Sequence, residues 1–117
     1  MKKWCVLLLS IVLLLAACGQ NYDKEIDEVA KLEKKAVESS GISDYRDFKK
    51  DTSNFYVYED GKIITVTYKT FKNSDTKFTN LYRLNETSGK YEEDKSIHVK
   101  KYMKNHESDY KEENLKK

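Results

Sequence analysis

Apolar positions along the chain fall into three regimes, and each predicts a different kind of structure. From Trp4 to Leu15 they form an almost unbroken run, interrupted only by Ser10. From Tyr22 to Glu38 they recur with helical spacing, at Tyr22, Ile26, Val29, Ala30, Leu32, Ala36 and Val37. At about 100° per residue these positions fall within an arc of roughly 160°, with Asp, Glu and Lys over the remainder, which is the pattern of a helix with one buried face. Asn21 suits the N-cap, Asp23 and Glu25 suit the positive end of the helix dipole, and Gly41 after Ser39-Ser40 suits a left-handed terminator.

Beyond Asn54 the period changes to two. Phe55 to Tyr58 reads as a strand, Glu59-Asp60-Gly61-Lys62 as a tight turn, and Ile63 to Phe71 as the returning strand. Asp-Gly favours a two-residue hairpin loop because both positions need positive φ. With Asp60-Gly61 at the tip, Val57 is expected opposite Ile64 and Phe55 opposite Val66, with Tyr68 continuing that face. Tyr56, Tyr58, Ile63 and Thr65 then share the other face. Lys72 to Asp75 predicts a turn, Thr76 to Asn85 a third strand alternating Phe78, Asn80, Tyr82 and Leu84, and Lys90 to Glu93 a short fourth strand.

The remaining segments are less regular. In the polar connection Ile42 to Thr52, the residues Ile42, Tyr45 and Phe48 are spaced by three, and Ser43 can cap a single helical turn. Ser96 to Asn105 carries Ile97, Val99, Tyr102 and Met103 and predicts a short second helix, while Tyr110 to Lys117 is charged and expected to fray. The chain has room for one small domain. The expected fold is α+β over residues 22–110, an N-terminal helix packed on a four-stranded antiparallel sheet, with residues 111–117 as a charged tail.

The first regime belongs to export. Lys2 and Lys3 precede an apolar run that would span roughly 20 Å as a helix, short of the roughly 30 Å hydrocarbon core. It reads as a signal peptide over residues 1–17 rather than a permanent span. Leu15-Ala16-Ala17-Cys18 resembles the lipobox of bacterial lipoproteins. Leu15, Ala16, Ala17 and Cys18 are then the signal peptidase recognition residues. The small side chains admit the peptidase, and the Cys18 thiol supplies the sulfur that takes a diacylglyceryl group, with or without a further N-acyl chain. Residues 18–21 form a lipidated, polar tether on the extracytoplasmic face of the cell membrane. No other cofactor is expected.

Charge agrees with that division. The whole chain has 22 basic and 20 acidic side chains, and losing Lys2 and Lys3 leaves 20 against 20. A neutral domain has no electrostatic basis for binding nucleic acid or for adhering to anionic lipid. Attachment therefore falls to buried acyl chains, at about 0.8 kcal/mol per methylene. The two cysteines are Cys5 and Cys18, so the processed chain has no pair to bridge. A monomer is expected.

The lipobox, the early helix, the Asp-Gly hairpin and the closing Asp109-Tyr110-Lys111-Glu112-Glu113-Asn114-Leu115-Lys116-Lys117 together resemble a family of small Gram-positive lipoproteins, across essentially the whole chain. The resemblance implies a cystatin-like fold, a helix wrapped by an antiparallel sheet, in a domain with no assigned activity. It also implies relatives carried on mobile and conjugative elements. Cystatins inhibit cysteine proteases through a Gln-x-Val-x-Gly hairpin and a Pro-Trp loop. Here the hairpin reads Tyr58-Glu59-Asp60-Gly61-Lys62, proline is absent, and Trp4 lies in the discarded segment. Inhibition is not expected.

No residue pattern marks a reaction. His98 and His106 have no partner at zinc-ligand spacing, and no Gly-x-Ser-x-Gly elbow or glycine-rich phosphate loop occurs. Glu92-Glu93-Asp94 and Glu112-Glu113 lack the oxygen spacing of a calcium loop. The expectation is a non-enzymatic binding or accessory module that meets an unidentified protein partner, with Tyr56 and Tyr58 as its candidate surface. A competing reading places function in residues 10–17, because Ser10 to Ala17 resembles the hydrophobic octapeptide pheromones released from lipoprotein signal sequences.

Overall fold

A computed structural model describes residues 22–115. Helix α1 (Asp23–Ser40) is followed by a 3-10 turn (Lys50–Thr52), strands β1 (Asn54–Tyr58), β2 (Ile63–Lys69), β3 (Lys77–Asn85) and β4 (Lys90–Glu93), helix α2 (Val99–Asn105), and strand β5 (Tyr110–Glu113). The strands form one antiparallel sheet in the order β4-β3-β2-β1-β5. The fold is α+β, one long helix against an antiparallel sheet, with five strands where the sequence predicts four.

The helix forms where the period predicts it. Asp23 and Glu25 lie in its first turn, and Gly41 ends it at φ 68°. The Ser40 hydroxyl donates to the Val37 carbonyl at 2.6 Å and accepts from the Ile42 amide at 3.3 Å, so the last turn keeps its partners. The N-cap is Tyr22, which makes no side-chain capping bond, and not Asn21 as the sequence predicts.

The hairpin register is the predicted one: Phe55 pairs with Val66 and Val57 with Ile64. At its tip Glu59, Asp60 and Gly61 all have positive φ, at 50°, 55° and 94°, one residue more than the two-residue loop requires. Two contacts fix this shape. The Asp60 amide donates to Asp109 Oδ2 at 2.8 Å, and the Tyr91 hydroxyl donates to the Gly61 carbonyl. A Cβ on Gly61 would stand 3.3 Å from the Tyr22 ring, so glycine is needed there for space as well as for φ.

The two sheet faces bury different things. Facing α1 are Phe55, Val57, Ile64, Val66, Tyr68, Tyr82 and Tyr91, which close on Tyr22, Ile26, Val29 and Ala30 to make the main core. On the opposite face a smaller cluster of Tyr58, Ile63 and Leu81 is covered by Ile97, Val99, Tyr102 and Met103 from α2 and the turn before it. His98 opens α2, its ring nitrogen accepting from the Lys101 amide at 3.3 Å.

The expected C-terminal tail is corrected. The tail expected over residues 111–117 begins as a strand, because β1 would otherwise leave an open edge of unpaired backbone groups. In β5, Lys111 pairs with Tyr56 and Glu112 with Phe55, and the Tyr110 ring sits 5.9 Å from that of Tyr22. The Leu115 amide then donates to Asn54 Oδ1 at 2.8 Å. Backbone pairing does here what the sparse apolar side chains could not signal. In the polar connection a hydrogen-bonded turn forms at Ser43-Asp44, the Tyr45 amide donating to the Ile42 carbonyl at 3.2 Å, and the 3-10 turn Lys50–Thr52 follows after Tyr45 bridges to Phe71 and Phe48 enters the core.

Candidate functional site

One charged side chain lies inside the domain. Glu33 projects from the buried face of α1 and is 3% exposed. Its Oε1 accepts from the Tyr82 hydroxyl at 2.8 Å and from Asn80 Nδ2 at 3.0 Å. Its Oε2 accepts from the Tyr68 hydroxyl at 2.5 Å and from Asn80 Nδ2 at 3.1 Å. Every neighbour is a donor, which is what an ionised, acceptor-only carboxylate requires. Burial, followed by the bond to Glu33 for Tyr68 and the Glu33 charge for Tyr82, pushes both hydroxyls well above the ordinary phenol range. The two tyrosines therefore stay protonated and hold the carboxylate from β2 and β3.

Beside this cluster a cleft of about 290 Å³ opens between the C-terminal half of α1 and the ends of β2 and β3. Glu33 and Asn80 lie at its inner end, Tyr45, Phe71 and Phe78 line it, and Glu93 of β4 adds a second carboxylate. The aromatic rings meet as corners. Tyr45 and Phe71 are 5.1 Å apart at 66°, and Phe71 and Phe78 are 5.7 Å apart at 76°. Arg46 fixes this wall from behind, its guanidinium donating to the Phe71 carbonyl at 2.8 Å and to the Ser74 carbonyl at 3.3 Å. Burial first, then the charge of Glu33, raises the Glu93 carboxyl above the ordinary carboxylate range, while Lys95 acts in the opposite direction.

A helix cradled by an antiparallel sheet, with its buried face turned to the strands, is the geometry of a known family. The family model that matches residues 22–114 describes a domain of unknown function with cystatin-like fold, DUF4467. The chain belongs to this family. A solved structure of a DUF4467 family protein from Staphylococcus aureus is 32% identical and superposes with a TM-score of 0.74, covering 82% of this chain and 100% of that one. Among curated proteins none matches.

The DUF4467 domain places the sequence-predicted residues unevenly. Leu15, Ala16, Ala17 and Cys18 lie outside the described residues, as does the segment from Ser10 to Ala17. Tyr56 and Tyr58 share one sheet face as expected, but Tyr58 is 3% exposed and belongs to the second core. The short helix covers it, with the Tyr102 ring 5.2 Å away at 79°, so Tyr58 is not an open contact. Tyr56 is half-buried and its hydroxyl donates to Glu113 Oε2 at 3.2 Å, on the wall of a shallow depression between α2 and β5.

His98 and His106 remain on the surface. His106 stacks on Tyr102 at 3.9 Å and 15°. Among the described residues no group of three His, Cys, Asp or Glu side chains is placed to hold a metal ion.

Sequence reasoning missed Glu33, Asn80 and the cleft. Two signals were present. Glu33 occupies the helical position between Val29 and Val37 on the apolar arc, which the apolar pattern assigns to Leu32 and Ala36. In the structure Leu32 is half-buried and Ala36 exposed. Asn80 falls on the core-facing register of β3, between Phe78 and Tyr82. A polar residue at a core position on each of two elements indicates a buried hydrogen-bonded pair, but only the packing shows that they meet.

Proposed function

We propose that this protein is a lipid-anchored extracytoplasmic lipoprotein whose DUF4467 domain is a non-enzymatic binding or accessory module. The observation that carries the reading is the sequence Leu15-Ala16-Ala17-Cys18 after a basic and then an apolar segment, four residues before the folded domain opens at Tyr22. The family match begins at that same residue, which supports reading the segment before it as a unit apart from the domain. A neutral exterior with the anchor at one end supports a module held near the membrane by its acyl chains rather than by surface charge.

The binding role is supported by how Glu33 is built. Both of its oxygens are engaged by donors, and the tyrosine hydroxyls around it are held in their protonated form. A general base needs an acceptor site free to take a proton from a substrate. Glu33 supplies fixed negative charge to a cleft and has no such free site.

The test is Cys18→Ala in a Gram-positive host, followed by fractionation and labelling with an alkyne palmitate. The wild-type chain should label and sediment with membranes. The variant should take no label and should accumulate at precursor mass. A wild-type product with an unmodified amino terminus, or a variant that is processed and retained normally, overturns the proposal.

A further inference from the structure

The cleft beside Glu33 is charged and aromatic, and what is missing from it identifies its occupant. Two carboxylates border it, Glu33 and Glu93, yet no Lys or Arg is among its lining residues. In the chain as a whole the two signs are nearly equal, 22 against 20. On the described surface five carboxylates have a cation within reach, Asp27 with Lys50 and Asp94 with Arg83 among them, and neither Glu33 nor Glu93 is one of the five. A buried carboxylate usually has a cationic partner, and Glu33 has three hydrogen-bond donors but no ion pair with Lys, Arg or His among the described residues. Its charge faces the cleft unneutralised.

The kind of cation follows from the acceptor count. A carboxylate has about four acceptor positions, and Glu33 has four contacts, two on each oxygen. A primary ammonium carries three donors that must be satisfied on desolvation; Glu33 has no acceptor position left, so they would fall to Glu93 at the rim and to the unpartnered Thr70 hydroxyl. A quaternary ammonium has no donors to satisfy. It is recognised by charge and by aromatic faces, and rings set at corners suit its round shape. Tyr45, Phe71 and Phe78 provide such corners at 66° and 76°. A volume of about 290 Å³ admits a trimethylammonium group on a short stem.

We infer that the cleft bounded by Glu33, Tyr45, Phe71, Phe78 and Glu93 is a binding site for a compact quaternary ammonium group of the choline type. The inference deepens the binding-module reading by naming a ligand class, and it does not depend on the anchor. Loss of ligand binding and loss of Cys18 acylation are separate results.

The full chain, purified in a maltoside detergent from whichever fraction holds it, is titrated by calorimetry with choline chloride, with its neutral carbon isostere dimethylbutanol, and with ethanolamine. Choline should give saturable heat, the neutral isostere none, and ethanolamine binding weaker by about tenfold. Phe78 is 44% exposed, so Phe78→Ala leaves the core intact. It should weaken choline binding by about tenfold, the loss expected for one partly desolvated cation–π contact. Glu93→Gln should weaken choline binding too, and added salt should weaken it in the parent chain.

Glycerophosphocholine distinguishes the source. Binding equal to choline's assigns a lipid headgroup and exclusion assigns a free solute, and both support the quaternary ammonium class. Absence of saturable heat with choline at tens of millimolar, equal binding of dimethylbutanol or of ethanolamine, or unchanged affinity in Phe78→Ala overturns it.

Discussion

Glu33 sits where a leucine would make a conventional helix–sheet interface, and its cost is met by three donors from two strands. The arrangement is cooperative, because Tyr68, Asn80 and Tyr82 are themselves oriented by the carboxylate. Removing the carboxylate leaves two buried hydroxyls and an amide without their acceptor. Glu33→Ala should therefore destabilise the fold on the order of 3 kcal/mol, the cost of leaving several buried donors unpaired. Glu33→Gln, which keeps one acceptor oxygen, should cost about 1 kcal/mol. Urea denaturation of the two variants checks both, and equal stability of Glu33→Ala and the parent would show that the network contributes nothing to folding.

Among the elements, β5 shows how a charged segment becomes structure. Its side chains bury little, with Lys111 and Glu113 exposed, but its backbone completes the edge of β1. In β1, Phe55 and Val57 turn their backbone groups toward β5, as the bond from the Asp109 amide to the Val57 carbonyl at 2.7 Å fixes the alternation. Tyr56 and Tyr58 turn theirs toward β2. Deleting residues 110–117 should therefore abolish hydrogen-exchange protection at the Phe55 and Val57 amides and preserve it at Tyr56 and Tyr58. Uniform loss along β1 would mean instead that β5 supports the whole sheet. The helices differ in the same sense: α1 is legible from its period and its Gly41 stop, whereas α2 is fixed by what it covers, Tyr58, Ile63 and Leu81.

At the scale of the whole molecule, the tyrosines make stability depend on alkaline pH. The chain has nine, and burial raises the hydroxyls of Tyr68, Tyr82, Tyr91 and Tyr102 above the ordinary value of 10.0. Tyr91 is pushed up to about 12 by burial first and then by the charges of Glu25 and Glu28. A group whose folded pKa exceeds its unfolded value favours the fold fully below the unfolded value. That contribution is lost as pH rises from 10.0 through about 12. Tyrosinate absorbance should therefore appear in two phases, the half-buried rings first and the buried ones together with loss of the circular dichroism of the fold. A single phase near the ordinary value with the fold intact would contradict the burial of this group.

The alternation and periodicity of the chain determined α1, the β1–β2 register to the residue, β3, β4 and the positive φ at Asp60 and Gly61, because each depends on neighbours within a few positions. The lipobox is likewise a local pattern. Tertiary structure alone decided the fifth strand, the burial of Tyr58 and the meeting of Glu33 with Tyr68, Asn80 and Tyr82. Each of these joins residues 35 or more positions apart. A sequence shows that a carboxylate stands on an apolar face, but the donors that satisfy it come from strands whose approach is set by packing the whole sheet against the helix.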